Sequence, residues 1–145
     1  MDLRQETQIS LKEKLPQYDA VFVSGGNGFW LLECMKKSGF TALIREFLKK
    51  GIYISTSAGS CVCAPNIEYT KDADDPSVSQ LTADEYDGLN FCNLAIDPHF
   101  NSKESEELLP RIQYFKENDI GFPCIDLTDQ QAIVGNLQEG IRIIS

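Results

Sequence analysis

Histidine is almost missing from this chain of 145 residues: there is one, His99. A single imidazole excludes any metal centre built on two or three histidines. Positive charge is also scarce, with 13 Lys and Arg against 22 Asp and Glu and a formal net charge of −9. Nucleic acid and anionic membrane surfaces are bound by cationic side chains, so neither is an expected partner. No apolar run approaches the ~20 residues that cross a bilayer, and no secretory leader is visible. The five cysteines (Cys34, Cys61, Cys63, Cys92, Cys124) are odd in number and follow no framework spacing, which excludes a disulfide scaffold. They sit mostly in apolar runs, as free thiols do in a reducing compartment, so the expected location is cytoplasmic. Cys61 and Cys63 form one Cys-x-Cys pair, and with one histidine and no second cluster a zinc site is not expected.

What remains is a chain of ordinary hydrophobic content, 42%, long enough for one domain spanning residues 1–145. Residues 3–15 suit a polar helix that Pro16 stops. Residues 19–24 (Asp-Ala-Val-Phe-Val-Ser) form a short apolar run between turn residues, the pattern of a buried parallel strand. A Gly25-Gly26-Asn27-Gly28 loop follows, with Asn27 placed to cap a helix carrying Leu31, Leu32 and Met35 on one face. Leu43, Ile44, Phe47 and Leu48 repeat at helical spacing before Lys49-Lys50-Gly51 closes that helix. Residues 66–90 are acidic and aperiodic, which predicts a long surface loop. A strand resumes at Leu94–Asp97, residues 103–118 suit a helix interrupted by Pro110, and three closing strands are expected at 122–127, 132–134 and 141–144. The last two would be joined by a turn around Gln138-Glu139-Gly140. Strands alternating with helices predict an α/β fold with a mainly parallel sheet between helix layers.

The stretch from Gly51 to Ser60 carries the chemistry. Ile52-Tyr53-Ile54 reads as a buried strand that stops in Ser55-Thr56-Ser57-Ala58-Gly59-Ser60, and Cys61-Val62-Cys63-Ala64 is compact enough to start a helix before Pro65. A serine at the apex of a strand, a tight turn and a helix is a nucleophile elbow, and Ser57 is the apex because Ala58 and Gly59 let the turn close. Ser55 stands where that pattern more often has glycine. The same residues also suit a plain Ser/Gly-rich loop. A serine hydroxyl needs a neighbouring base, and His99 follows a strand end at the sheet edge where ligands of open α/β sheets bind. The Gly25-Gly26-Asn27 loop leaves a strand at that same edge, where its amides could help form an oxyanion hole. A phosphate-binding reading of that loop is weak, since neither Gly-x-Gly-x-x-Gly nor the P-loop lysine is present.

Three segments in order, Val23-Ser24-Gly25-Gly26-Asn27-Gly28-Phe29, Thr56-Ser57-Ala58-Gly59-Ser60 and Asp97-Pro98-His99-Phe100, resemble the peptidase E-like serine peptidases, which include aspartyl dipeptidase and cyanophycinase. The resemblance covers roughly residues 19–144 and implies a fold similar to class I glutamine amidotransferase domains. It implies Ser57 as nucleophile, His99 as general base, and the Gly26 and Ala58 amides as oxyanion hole. For the acid it offers Asp129, standing where relatives place a glutamate. A second family acid after the elbow matches Asp74 or Asp72.

Two departures from the family pattern bear on function. The segment after His99 is net acidic, with only Arg111 nearby, which argues against specificity for N-terminal aspartate. The resemblance also implies a strand–helix–strand segment ahead of residue 1, leaving the strand at residues 20–24 with an open edge prone to self-association. The leading expectation is a serine hydrolase acting on small peptides without a cofactor. The alternative is a truncated, inactive domain acting as a binding or oligomerisation module. An amidotransferase-like reading ranks last, because Cys61 is displaced from the apex.

Overall fold

The computed structural model describes residues 1–100, 113–115, 117–136 and 140–145. Its first half is organised by one parallel strand pair. The Ala-Val-Phe-Val run forms β1 (Ala20–Val23) and Ile-Tyr-Ile-Ser forms β2 (Ile52–Ser55). They pair in parallel, with Ala20 opposite Ile52 and Val23 opposite Ser55. Helix α1 (Gln8–Lys14) precedes them, and α2 (Gly28–Lys37) and α3 (Phe40–Phe47) make the crossover.

Local chemistry sets the helix ends. Thr7 accepts from the Ser10 amide, and Asn27 accepts from the Trp30 amide at 3.0 Å, each satisfying an amide that has no partner within its helix. Between α2 and α3 the chain turns at Gly39, whose φ of 77° an L side chain rarely adopts. A Cβ there would also lie 2.6 Å from the Gln8 Cβ, so α1 closes onto that turn. The helical faces then meet in one core of Leu11, Phe29, Leu32, Met35, Ile44 and Phe47, none more than 4% exposed.

The second half holds β3 (Ala95–Asp97) parallel to β4 (Cys124–Asp126), and β5 (Ala132–Asn136) antiparallel to β6 (Gly140–Ile144). The expected strands are therefore present, but the described residues do not join them into one sheet. They form three two-stranded sheets, and a cavity of about 860 Å³ lies between β2 on one side and β3 and β5 on the other. Among the described residues no third strand joins the β1–β2 pair, and β2 faces this cavity. One face of the first pair is also uncovered: Phe22 is 64%, Ile52 61% and Ile54 47% exposed. Full burial of each such side chain would contribute about 1.5–3 kcal/mol, so a substantial stabilisation is unrealised here.

Residues 66–90 differ from the free surface loop expected of them. Ile67, Tyr69, Tyr86 and Leu89 punctuate the acidic sequence and are buried, and three 3-10 turns (Glu68–Thr70, Pro76–Val78, Ala83–Glu85) shape the path between them. Glu33, 1% exposed on α2, accepts from the Gln80 amide at 2.8 Å and pairs with Lys37. Phe29 and Tyr86 meet edge to face with ring centres 4.8 Å apart. Of the helix expected at 103–118, residues 113–115 and 117 are helical, and 101–112 and 116 lie outside the described residues, as do 137–139 of the expected last turn. No helix among the described residues is long and apolar enough to cross a membrane.

Candidate active site

The turn after β2 is sharp. Ser57 has φ 52° and ψ −127°, a conformation costly for an L residue, and α4 (Ala58–Cys61) begins at the next residue. The helix thus starts earlier than the apolar run at 61–64 suggests, because the turn at Ser57 already sets its first residue. Hydrogen bonds from behind hold this conformation. The Ser60 amide donates to the Ser57 carbonyl at 2.7 Å, the Tyr53 hydroxyl to the Gly59 carbonyl at 2.8 Å, and Ser55 and Ser60 share a hydroxyl contact at 3.0 Å. Ser55 therefore has a use at the position where glycine was expected: it ties the strand to α4.

The small residues at the elbow are dictated by close approach. A Cβ on Gly59 would lie 2.4 Å from the Val23 carbonyl oxygen, so only glycine lets α4 pass the end of β1. A Cβ on Gly25 would lie 2.8 Å from the Ser57 Cβ and 3.0 Å from its Oγ. The Gly-Gly-Asn loop consequently lies directly against the serine side chain. Gly26, with φ 124°, is the next residue of that loop, and Ala58 is the first residue of α4, where a helical amide has no acceptor within its helix.

His99 follows β3 with φ 61°, and its Nδ1 lies 2.5 Å from Oδ1 of Asp129. The main chain brings the two together: the Leu127 amide donates to Asp97 at 2.9 Å and the Phe100 amide to Leu127 at 3.1 Å. Asp129 itself sits in a turn closed by the Gln131 amide on the Thr128 carbonyl at 3.0 Å. About half of each side chain is exposed. Ser57, His99 and Asp129 all line the cavity beside β2.

The structure does not bring Asp74 or Asp72 to that cavity. Asp74 Oδ2 accepts from the Gly28 amide at 2.8 Å, and Asn27 donates to the Asp75 carbonyl at 2.9 Å. Asp74 thus fastens the acidic segment to the amino end of α2, behind the Gly-Gly-Asn loop. Sequence reading missed this role, since no local pattern links residues 46 positions apart. Cys63 lies near the elbow and lines the cavity, but burial pushes its thiol up to about 12, against the Tyr53 hydrogen bond that lowers it. Burial therefore disfavours the thiolate that a nucleophile needs. Among the described residues, no group of three His, Cys, Asp or Glu side chains is arranged to hold a metal ion.

The model of peptidase family S51 matches residues 1–143. An uncharacterised peptidase of Listeria monocytogenes is 33% identical over 113 residues, 77% of this chain and 55% of that protein. Peptidase E of Escherichia coli is 37% identical over 85 residues, 58% of this chain and 35% of that protein. An uncharacterised peptidase of Pasteurella multocida is 29% identical over 137 residues, 94% of this chain and 65% of that protein. The chain therefore spans between about a third and two thirds of the length of these relatives. Among solved structures, a candidate peptidase E protein from Listeria monocytogenes superposes with a TM-score of 0.82 at 26% identity, covering 99% of this chain and 68% of that one. The fold is accordingly α/β of the class I glutamine amidotransferase-like type.

Proposed function

Because this chain belongs to peptidase family S51, we propose that it is the catalytic part of a serine hydrolase that cleaves small peptides. The observation that supports this most is the sharing of one cavity by Ser57, on its strained turn, and the hydrogen-bonded pair His99–Asp129.

In this reading the Asp129 carboxylate accepts from Nδ1–H of His99, leaving Nε2 with the lone pair that a general base needs. Nε2 takes the proton of Ser57 Oγ as the oxygen attacks the scissile carbonyl carbon. The tetrahedral oxyanion is met by the amides of Gly26 and Ala58. His99 then returns the proton to the leaving amine, and the C–N bond breaks. Water, deprotonated by the same imidazole, hydrolyses the acyl-enzyme and frees Ser57. No cofactor enters these steps. The cavity volume, about 860 Å³, falls within the range of sites that enclose small ligands, in keeping with short peptides rather than folded proteins. The five free thiols favour a cytoplasmic setting.

A fluorophosphonate probe tests the reading. Labelling of the protein at Ser57, lost in Ser57→Ala and slowed by about 10³-fold or more in His99→Gln, is the expected result. Equal labelling of the Ser57→Ala protein would place the reactive group elsewhere. A protein that never labels favours the second reading, a binding or oligomerisation module, which draws on the exposed apolar face of β1 and β2.

A further inference from the structure

Among the described residues no main-chain amide donates to the Gly59 carbonyl. A continuing helix would bring it the amide four residues on. Here α4 ends at Cys61, and the Cys63 amide turns instead to the Ser60 carbonyl at 3.1 Å. Two side chains take the place of that amide. The Tyr53 hydroxyl donates to the Gly59 carbonyl at 2.8 Å and the Cys63 thiol at 3.4 Å. The phenol is the stronger of the two, because a thiol is a weak donor. Burial raises the Tyr53 pKa, so the hydroxyl keeps the proton it donates.

This bond reaches the reacting atoms through rigid parts. A peptide group is planar, so its C=O and N–H point opposite ways and turn together. The Gly59 carbonyl shares one plane with the Ser60 amide, and that amide donates to the Ser57 carbonyl at 2.7 Å. The Ser57 carbonyl shares the next plane with the Ala58 amide. Two planar units in series therefore join the phenol to the amide that meets the oxyanion in the proposed mechanism. The ψ of Ser57, −127°, is the angle at which the second plane stands. The phenol is itself held in place. Phe91 meets Tyr53 edge to face with ring centres 5.1 Å apart, and the Phe91 amide donates to the Cys63 carbonyl at 3.1 Å. Arg45, on α3, fastens the same turn by donating to the Leu89 carbonyl at 3.0 Å.

We propose that Tyr53 is a positioning residue: its hydroxyl, acting through the Gly59–Ser60 and Ser57–Ala58 peptide groups, aims the Ala58 amide at the oxyanion and keeps Ser57 in its strained turn. The assignment rests on the serine-hydrolase reading and adds to it a residue that acts on the reacting atoms only through other groups. Its effect belongs to the transition state, because an oxyanion donor gains strength as charge develops on the carbonyl oxygen. Binding of substrate and titration of His99 should not depend on it.

The test compares fluorophosphonate labelling of the full chain, Tyr53→Phe and Tyr53→Phe/Cys63→Ser over a range of probe concentrations, which separates kinact from KI. Tyr53→Phe keeps the ring against Phe91 and removes only the donor. Its kinact should fall by about tenfold or more, within the roughly 10²–10³-fold lost with an oxyanion donor outright. KI should stay within about twofold, and the pH midpoint of labelling should not move. Serine at position 63 can bond back to the carbonyl four residues earlier, so the double variant should recover most of the lost rate. Rates are taken below the melting transition of each protein, followed by circular dichroism. An unchanged kinact in Tyr53→Phe would overturn the proposal even if the melt shifted. So would slower labelling that lies in KI, or a folded double variant as slow as Tyr53→Phe. If Tyr53→Phe does not fold, the double variant is set against the unmutated protein, and a kinact lower by about tenfold overturns the proposal. An unmutated protein that never labels would overturn the serine-hydrolase reading and this assignment together, whereas the other adverse results leave that reading standing.

Discussion

Nδ1 of His99 and Oδ1 of Asp129 stand 2.5 Å apart although thirty residues separate them in the chain. One is set just past β3 and the other just past β4, and the parallel register that places Asp97 opposite Asp126 brings the two strand ends level. In the proposed mechanism this contact leaves Nε2 of His99 for proton transfer, because a carboxylate oxygen can only accept.

That geometry predicts an asymmetric response to substitution. Asp129→Asn keeps the shape but can present an N–H where an acceptor is needed, and labelling of Ser57 should fall by about 10²–10⁴-fold. Asp129→Glu should retain more activity than Asp129→Asn. Pseudo-first-order labelling rates measured across pH would decide, and equal rates for all three proteins would remove Asp129 from the mechanism.

Asp74 should behave differently. Its carboxylate caps the Gly28 amide, so Asp74→Ala should cost about 0.5–2 kcal/mol, as loss of a helix cap does. Labelling should fall modestly through the loosened Gly-Gly-Asn loop, while its pH dependence stays that of the unmutated protein. A changed pH profile would mean that Asp74 acts on the imidazole after all. Urea unfolding and the labelling profile give the two readouts.

The two glycines packed at the elbow should separate activity from stability. Gly59→Ala sets a methyl 2.4 Å from a main-chain oxygen that cannot turn aside, and should destabilise by roughly 1–3 kcal/mol or prevent folding. Gly25→Ala meets chiefly the Ser57 side chain, 2.8 Å away at its Cβ. It should displace the hydroxyl and suppress labelling with the smaller loss of stability. Thermal melts beside labelling would show the opposite order if the elbow is not the reactive site.

Glu33 gives a pH prediction. Its hydrogen bonds from Lys37 and the Gln80 amide hold the carboxyl below its ordinary 4.5, against the burial that would raise it. A carboxyl depressed on folding contributes its stability in full above the unfolded value and loses it as pH falls through the folded one. Glu33→Gln should therefore be less stable than the unmutated protein near neutral pH, by about 1.5–3 kcal/mol for hydrogen bonds to a charged group. The difference should shrink below pH 4.5 as the carboxyl of the unmutated protein is protonated. Urea midpoints of both proteins at neutral and acid pH would measure it, and a constant difference would assign the effect to packing.

Much of the fold could be read from local pattern. The run at Ala20–Val23, the cap at Asn27 and the helical spacing of Leu32 and Met35 each act over a few residues, and each stands in the structure where its chemistry puts it. The turn at Ser57 could be read for the same reason: small residues after a β-branched run leave the chain few other conformations. Local pattern favoured Asp129 only for its place at a strand mouth and could not show which of Asp129, Asp74 and Asp72 would meet His99, since each sits in a polar stretch. Nor did it show that Ile67 and Tyr86 would draw an acidic segment down onto α2, or that β2 would face a cavity instead of β3. Those outcomes depend on contacts between residues far apart in sequence, such as the 46 positions between Gly28 and Asp74. Caps and periodicity determine an element within its own few turns, whereas the partner of a strand edge or a carboxylate is decided only when packing has closed the chain between them.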